Sequence, residues 1–575
     1  MGIRNRWFLI LAGLLASVLV FAAACGGDDD DDDGDGETPS ATEPAGGEDR
    51  APADQQRITV QLGEPQFLDP HRSSFEQDIA VIRALFRGLY NLRDDGEGGV
   101  EIVPEMAADM PQVSGNVYTV TLRDGLVWSD GEPITAQHFV DGAKRGCDPT
   151  VATDYGYLWG EGYLDLEGCA ELQANEDPAQ AQALKDALGV RAIDDKTVEY
   201  TLARPNGRFA MIMALWTTFP IRQDVVDEHG DAWTEPANIV GNGPFKLREW
   251  THGESMVLVP NENWHGEAPA LQEITIRFID DYTAAFRSYQ NDELDITRLA
   301  SSDIAVAEGD SELADELLIA PSGRITSLQV QMENEVLSDF NVRLALSRAI
   351  DREELNDVVF EGSNTPALYW VVEGIEGHQG NEPFEGLIDF DPDAAKAALE
   401  EAGYPNGQGF PELSITVHTP DYVRTAEYLQ EQFQEILGIN IKINQVDSPT
   451  RSAIFREERF ELFIGGWQLD YPDIENPLFG LFETDGGNNH YNCSNPDVDA
   501  ALQRALNAAN DEERIAAYQD METAVVENLC GVIPMWQDSL PYMIDSNLGG
   551  IVSNATLNAG WPGSASIEDW YVKAE

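Results

Sequence analysis

From Arg57 onward the chain alternates between two kinds of hydrophobic pattern. Stretches in which apolar and polar residues alternate read as strands, and stretches with an apolar residue every three or four positions read as helices. Residues 57–62 alternate, and 78–92 carry a helical stripe through Ile79, Ile82, Leu85, Phe86 and Leu89. After about Ser301 the alternation restarts, with helices predicted over 341–350, 352–358, 394–401 and 423–437, and strands over 413–418, 439–446 and 462–467. No short internal repeat accompanies the restart. A chain of 575 residues exceeds what one core usually holds. The pattern therefore predicts an α/β protein of two lobes with a ligand cleft between them.

Local signals fill in the first half. A strand over 117–122 turns at Asp124-Gly125 into Val127-Trp128, which predicts a hairpin. Thr135 is placed to cap a helix running to Arg145. Residues 190–202 read as two short strands, 245–259 as a hairpin turned at 251–254, 271–279 as a strand and 282–291 as a helix.

The N-terminus sets the compartment. Arg4 and Arg6 precede an apolar run from Trp7 to Phe21, and Ala22-Ala23-Ala24 leads to Cys25. This is the order of an export signal, residues 1–24, with an uncleaved membrane anchor as the alternative. The Ala-Ala-Ala-Cys ending resembles a bacterial lipobox, which implies cleavage before Cys25 and lipidation of its sulfur, although Ala22 stands where Leu is usual. Lipid chains would hold the protein on the outer face of the cytoplasmic membrane, extracellular or periplasmic. Residues 25–56 hold twelve acids against a single arginine and almost no large apolar side chain, so a disordered acidic tether is expected there. Asp31, Asp33, Asp35 and Gly36 imitate the start of a calcium loop, but its twelfth position is Thr42, so no metal is expected.

Charge narrows the partners. Asp plus Glu total 103 against 35 Lys plus Arg, a net of −68, and most of the excess lies beyond the tether. Nucleic-acid binding is excluded as a main function, and self-repulsion favours a soluble monomer. Besides Cys25 there are four cysteines: Cys147, Cys169, Cys493 and Cys530. Three pairings are open to them, of which the neighbours Cys147 with Cys169 and Cys493 with Cys530 are preferred; free buried thiols are the alternative. No nucleotide loop, serine-hydrolase elbow or zinc-protease helix is present, and no cofactor is expected. Paired acids of a glycosidase type are too common in so acidic a chain to carry weight.

Several blocks occur in a specific order: Leu68-Asp69-Pro70-His71, the run from Leu85 to Tyr90, Pro104-Glu105-Met106-Ala107, the long run from Tyr118 to Ala136, the glycine turn Gly241-Asn242-Gly243-Pro244-Phe245, the run from Val342 to Arg352, and Gly465-Gly466-Trp467-Gln468-Leu469-Asp470-Tyr471. Together they resemble the extracellular solute-binding proteins of family 5, which feed ABC importers, over nearly all of 57–575. The resemblance implies two lobes, one with an extra subdomain, joined by two crossing strands. Lobe I is expected to comprise 57–88, 187–300 and 540–575, the subdomain 89–186, and lobe II 301–539.

The resemblance also implies a ligand site. In peptide-binding members an extended peptide pairs with backbone of both lobes, and an acid of the second lobe takes its amino group. The matching positions here are Asp470 for the acid, Gly465, Gly466, Trp467 and Gln468 for the pairing strand, Ser74, Phe75 and Glu76 for the first-lobe segment, and Tyr155 and Tyr157 for the subdomain wall. Two departures stand out: Ile464 replaces an arginine, and Gln468 replaces the cysteine of a cross-lobe bridge. The function implied is capture of short peptides for an ABC permease, without catalysis. A sugar, an opine, a nickel complex, or an envelope enzyme of glycosidase type are the alternatives.

Overall fold

The structure is a computed structural model that describes residues 49–96, 99–151, 155–160 and 162–574. The export signal, Cys25 and the tether up to residue 48 lie outside the described residues. Along the chain, β1 (Arg57–Leu62) is followed by helix α1 (Glu76–Leu85) and by the hairpin of β2 (Tyr90–Asp94) and β3 (Val100–Pro104). Next come β4 (Gln112–Ser114), β5 (Val117–Thr121), helix α2 (Ala136–Gly146), β6 (Val190–Asp194) and β7 (Thr197–Thr201). A second hairpin, β8 (Phe245–Thr251) and β9 (Ser255–Pro260), precedes β10 (Glu273–Phe278), helix α3 (Tyr282–Tyr289) and β11 (Ile296–Arg298). The second half contains β12 (Leu317–Val330), β13 (Thr365–Pro366), helix α4 (Pro392–Glu401), β14 (Leu413–Val417), helix α5 (Pro420–Gln432), β15 (Ile441–Gln445), helix α6 (Ser448–Arg456), β16 (Leu462–Gln468) and β17 (Val532–Ile544).

The main sheet has the order β15-β14-β16-β12-β17-β11-β1-β10-β9-β8, with β13 added on β17. Its two ends are the cores of two lobes. One end is built on parallel β14 and β15, the other on β1 running parallel to β10 and β11. The long antiparallel strands β12 and β17 cross between them. Their register breaks between Pro321 and Ile325. Before the break β17 is flanked by β11, and after it β12 is flanked by β16. Pro321 cannot donate to the ladder, and Gly323 leaves room beside it for the carbonyl of Ala555, 3.0 Å from where a Cβ would stand. The crossing strands are thus loosened at the point where the sheet passes from one lobe to the other. The α/β class and the two lobes agree with the sequence expectation.

A separate four-stranded sheet, β4-β5-β7-β6, carries helix α2, which ends at the Cys147–Cys169 disulfide. The second disulfide joins Cys493 to Cys530, just before β17. Bridges closing loops of this size typically contribute about 2–4 kcal/mol.

Four expectations need correction. The tether does not extend to residue 56: the Ala51 N–H donates to the Val572 carbonyl (2.9 Å), and the Gln56 amide donates to the carbonyls of Ala51 and Val572. The helical stripe over 78–92 ends at Leu85, because Phe86 is extended (φ −134°, ψ 153°) and Tyr90 opens β2. The stripe continued in sequence because Phe86 and Leu89 are buried there as well. Val127 makes one isolated bridge to Pro133 instead of a hairpin with β5, which pairs with β4 and β7. Finally, the subdomain sheet includes β6 and β7, beyond 186, and residues 301–320 do not join the second lobe: Ala307 packs with Ala285, Phe286 and Tyr289 of α3. The restart near Ser301 marks a change of pattern, and the chain changes lobes only at the break in β12.

Candidate functional site

β16 begins in the core and ends partly exposed. Leu462, Phe463, Ile464 and Gly465 are buried, and Gly466, Trp467 and Gln468 are partly exposed. On one side β12 pairs with all seven residues of the strand. On the other, β14 pairs only with Leu462 and Phe463. From Ile464 to Gln468 that side of the strand has no strand partner among the described residues, and an unpaired edge is a template for an added strand. Gly466 is required by close packing, since a Cβ there would lie 1.8 Å from the Ile325 carbonyl oxygen.

The strand leads to Asp470, whose carboxyl is wrapped in neutral donors. The Tyr157 hydroxyl donates to Oδ2 at 2.7 Å, and the Asn476 side-chain amide donates to the same oxygen at 3.1 Å. Asn476 ties the turn together, because its Oδ1 accepts from the Asp470 N–H (3.0 Å) and from Trp467 Nε1 (2.9 Å). Burial pushes the Asp470 carboxyl above the usual carboxylate range, and hydrogen bonds from Asn476, Tyr157 and Tyr155 only partly offset it. A carboxyl in this state gains from a cation placed beside it.

Aromatic side chains form the wall. Tyr157 packs edge-on against Tyr163 (centroids 5.0 Å apart), Tyr155 against Trp216 (4.8 Å), and Tyr163 against Phe479 (5.2 Å). Trp216 Nε1 donates to the Ser73 carbonyl at 3.1 Å, which brings the segment of Ser74, Phe75 and Glu76 up to the same wall. Phe75 itself is exposed, at the start of α1. Glu76 lies within electrostatic range of Arg298 and Arg324 at the crossing strands. Gln468 accepts from the Ser322 hydroxyl (3.2 Å), in the same break of β12. Asp470, Trp467, Tyr155 and Tyr157 therefore converge on one place, while Gly465, Gln468 and Glu76 lie along the cleft away from it.

Sequence reasoning missed several residues that build this region. Asn476 orients both Trp467 and Asp470. Arg208 forms an ion pair with Glu475, whose side chain is 1% exposed, and so links the segment after β7 to the loop after β16. Arg324 pairs with Asp538 at 3.0 Å. No local pattern in the sequence pointed to the two arginines, because each pairs with an acid more than 200 residues further along the chain, Arg208 with Glu475 and Arg324 with Asp538.

Comparison with known proteins identifies the family and the fold. The family described as bacterial extracellular solute-binding proteins, family 5 Middle, matches residues 101–489. The chain is 28% identical over 494 residues to the probable deoxycholate-binding periplasmic protein YgiS of Escherichia coli, covering 85% of this chain and 89% of that one. It is 25% identical over 569 residues to the oligopeptide-binding protein OppA of Bacillus subtilis, covering 96% and 98%. Among solved structures, the murein tripeptide binding protein MppA of Escherichia coli superposes with a TM-score of 0.74 at 26% identity, covering 90% of this chain and 99% of that one. By family match, fold and the two-lobed arrangement of its sheet, the chain belongs to the extracellular solute-binding proteins of family 5.

Proposed function

We propose that the protein captures short peptides between its lobes and delivers them to the permease of an ABC importer, tethered through a lipidated Cys25 on the outer face of the cytoplasmic membrane. The observation that carries the ligand class is the open edge of β16 ending at Asp470. A peptide laid on that edge satisfies its backbone through ladder hydrogen bonds, which tolerate many side chains, and its ammonium meets the Asp470 carboxyl, which has no cationic partner among the described residues. The names of the relatives OppA and MppA support the same class.

The binding test is calorimetry with free and N-acetylated peptides of equal sequence. The free peptide is expected to bind and the acetylated one to lose most of its affinity; equal binding of the two removes the role of Asp470. A specific observation favours a second ligand class, because one relative is named for deoxycholate. If no peptide binds and a bile acid does, the receptor stands with that ligand. The anchor is tested separately: Cys25→Ser should release the protein from membranes, and retention with residues 1–24 still attached overturns it.

A further inference from the structure

The neutral donors around the Asp470 carboxyl come from two sides. The hydroxyls of Tyr157, at 2.7 Å, and of Tyr155 belong to the aromatic wall and reach the carboxyl across the cleft. The Asn476 amide belongs to the same loop as Asp470, and its Nδ2 donates to Oδ2 at 3.1 Å. A hydrogen bond across a cleft changes whenever the cleft widens to admit a ligand. A hydrogen bond inside one loop does not depend on that width. Of these donors, Asn476 is the one that stays with Asp470 throughout.

The amide can face only one way. Its Oδ1 accepts from Trp467 Nε1 at 2.9 Å and from the Asp470 N–H at 3.0 Å. Both partners are pure donors. A flipped amide would set its NH2 against two N–H groups and turn its oxygen toward a carboxylate. With the oxygen held, Nδ2 is aimed at Asp470 Oδ2. Asn476 is 0% exposed, so removing the amide leaves its partners short of hydrogen bonds instead of solvated. Its own seat is firm. The Asn476 N–H donates to the Asp473 carbonyl at 3.0 Å, and the carbonyl of Pro477 accepts from Trp370 Nε1 at 2.6 Å. The other acids of the loop are paired within the protein: Asp473 takes both terminal nitrogens of Arg514 at 2.8 Å, and Glu475 takes Arg208.

We propose that Asn476 is a positioning residue for ligand capture: from behind, it sets the Asp470 carboxyl and the Trp467 ring as one unit, whether the cleft is wide or narrow. This rests on the peptide reading above. The role is selective by its chemistry. A donor behind a carboxylate stabilises its negative charge, and only a ligand with a cationic amino group uses that charge. A peptide with a blocked amino end still uses the edge of β16 and the Trp467 ring. The work of Asn476 is therefore read in the ratio of the two affinities.

Calorimetry on the full protein measures that ratio, with tri-, tetra- and pentaalanine as probes, each with a free and with an acetylated amino end. The free form should be the tighter in the unmodified protein. Asn476→Ala should lower the free-to-acetylated ratio roughly tenfold, the size of one hydrogen bond to a charged group. In the same variant, the loss of free-peptide binding on acidification should begin at higher pH, because the ionised Asp470 has lost a donor. Trp467→Phe keeps a ring but removes the N–H that holds the amide, so the ratio should fall by about two- to fivefold. That second effect should vanish in the Asn476→Ala background, since it acts through the amide. A residue that merely holds the loop together weakens both forms alike. An unchanged ratio in Asn476→Ala, with or without a general loss of affinity, overturns the positioning role and leaves the peptide reading standing. Equal binding of both forms by the unmodified protein, or no binding at all, overturns the peptide reading first and this proposal with it. Where Asn476→Ala does not fold, Trp467→Phe decides, and an unchanged ratio there overturns the proposal.

Discussion

At the start of the loop after β16, the Asp470 carboxyl meets two tyrosine hydroxyls and an asparagine amide. Five residues on, the Glu475 carboxyl meets a guanidinium, that of Arg208, as well as the Tyr518 hydroxyl at 2.9 Å. Burial raises both carboxyls above their ordinary range. At Glu475 the protein supplies the compensating charge itself, and it brings that charge from the segment after β7. The pair therefore joins two distant parts of the chain, and with the Tyr163 hydroxyl on the Phe479 carbonyl (3.3 Å) it clamps the aromatic wall onto the loop. At Asp470 no compensating charge is found among the described residues. A buried acid paired with an arginine belongs to the framework, whereas a buried acid left with neutral donors is poised for a cation from outside.

The largest effect should come from breaking the framework pair. Arg208→Ala leaves a carboxylate in a site 1% exposed to water, and the loss of a buried partner costs about 3–5 kcal/mol. Urea denaturation measures it. Because the folded pKa of Glu475 is raised, this group's contribution to stability is fully present below its unfolded pKa and declines as pH rises through the folded value. The defect of Arg208→Ala should thus be larger at pH 8 than at pH 5. A defect under 1 kcal/mol at both would make the pair ornamental and erase the contrast with Asp470.

The opposite sign is expected at the other end. Asp470→Asn keeps an acceptor for Tyr157 and Asn476 but removes the uncompensated charge, so the ligand-free protein should gain about 0.5–2 kcal/mol at neutral pH, as is usual when a site residue held at a cost is neutralised. The same variant should lose peptide affinity. Thermal melts and calorimetry on one sample would show both, and a destabilised Asp470→Asn would mean that the carboxylate is part of the framework after all.

This contrast also marks how far the sequence could be read. The strand of 462–467, the hairpin over 245–259 and the pair β6 and β7 were legible because each is made by contiguous residues with a local turn. Asp470 was singled out in the sequence because the run from Gly465 to Tyr471 resembles the family pattern in one piece. The partner of Glu475 was not, because Arg208 is more than 250 residues away in sequence, in the segment after β7. The lobe boundary was misplaced for a related reason: a change of pattern near Ser301 is local, whereas the crossing of the sheet depends on which strand flanks β12 and β17.

A smaller effect should sharpen the reading of Asp470. Tyr157→Phe deletes one donor to the carboxyl, about 0.5–1.5 kcal/mol of hydrogen bonding. The ionised form loses more than the neutral one, so the raised pKa of Asp470 should rise further. Peptide binding needs the ionised form and should weaken as pH falls through that pKa. In Tyr157→Phe the weakening should begin at higher pH than in the wild type. A calorimetric pH series is the measurement, and superimposable profiles would show that Tyr157 does not support the charge.

The smallest expected effect concerns salt, and it separates the buried pair from the acidic surface. Most of the net charge of −68 is spread over exposed side chains, whose mutual repulsion is screened over about 10 Å at 0.1 M salt. Moderate NaCl should therefore raise the melting temperature of the wild type and of every variant above, by a few degrees at most. Exposed pairs such as Lys196 with Asp124, 56% and 90% exposed, contribute little and fade under the same screening. The Arg208–Glu475 pair lies where ions do not reach, so its interaction should change little. The difference in stability between wild type and Arg208→Ala should then stay constant from low salt to molar NaCl while both curves rise together. A difference that shrinks in step with the salt would place the pair on the screened surface, and Glu475 would no longer differ from the solvated acids around it.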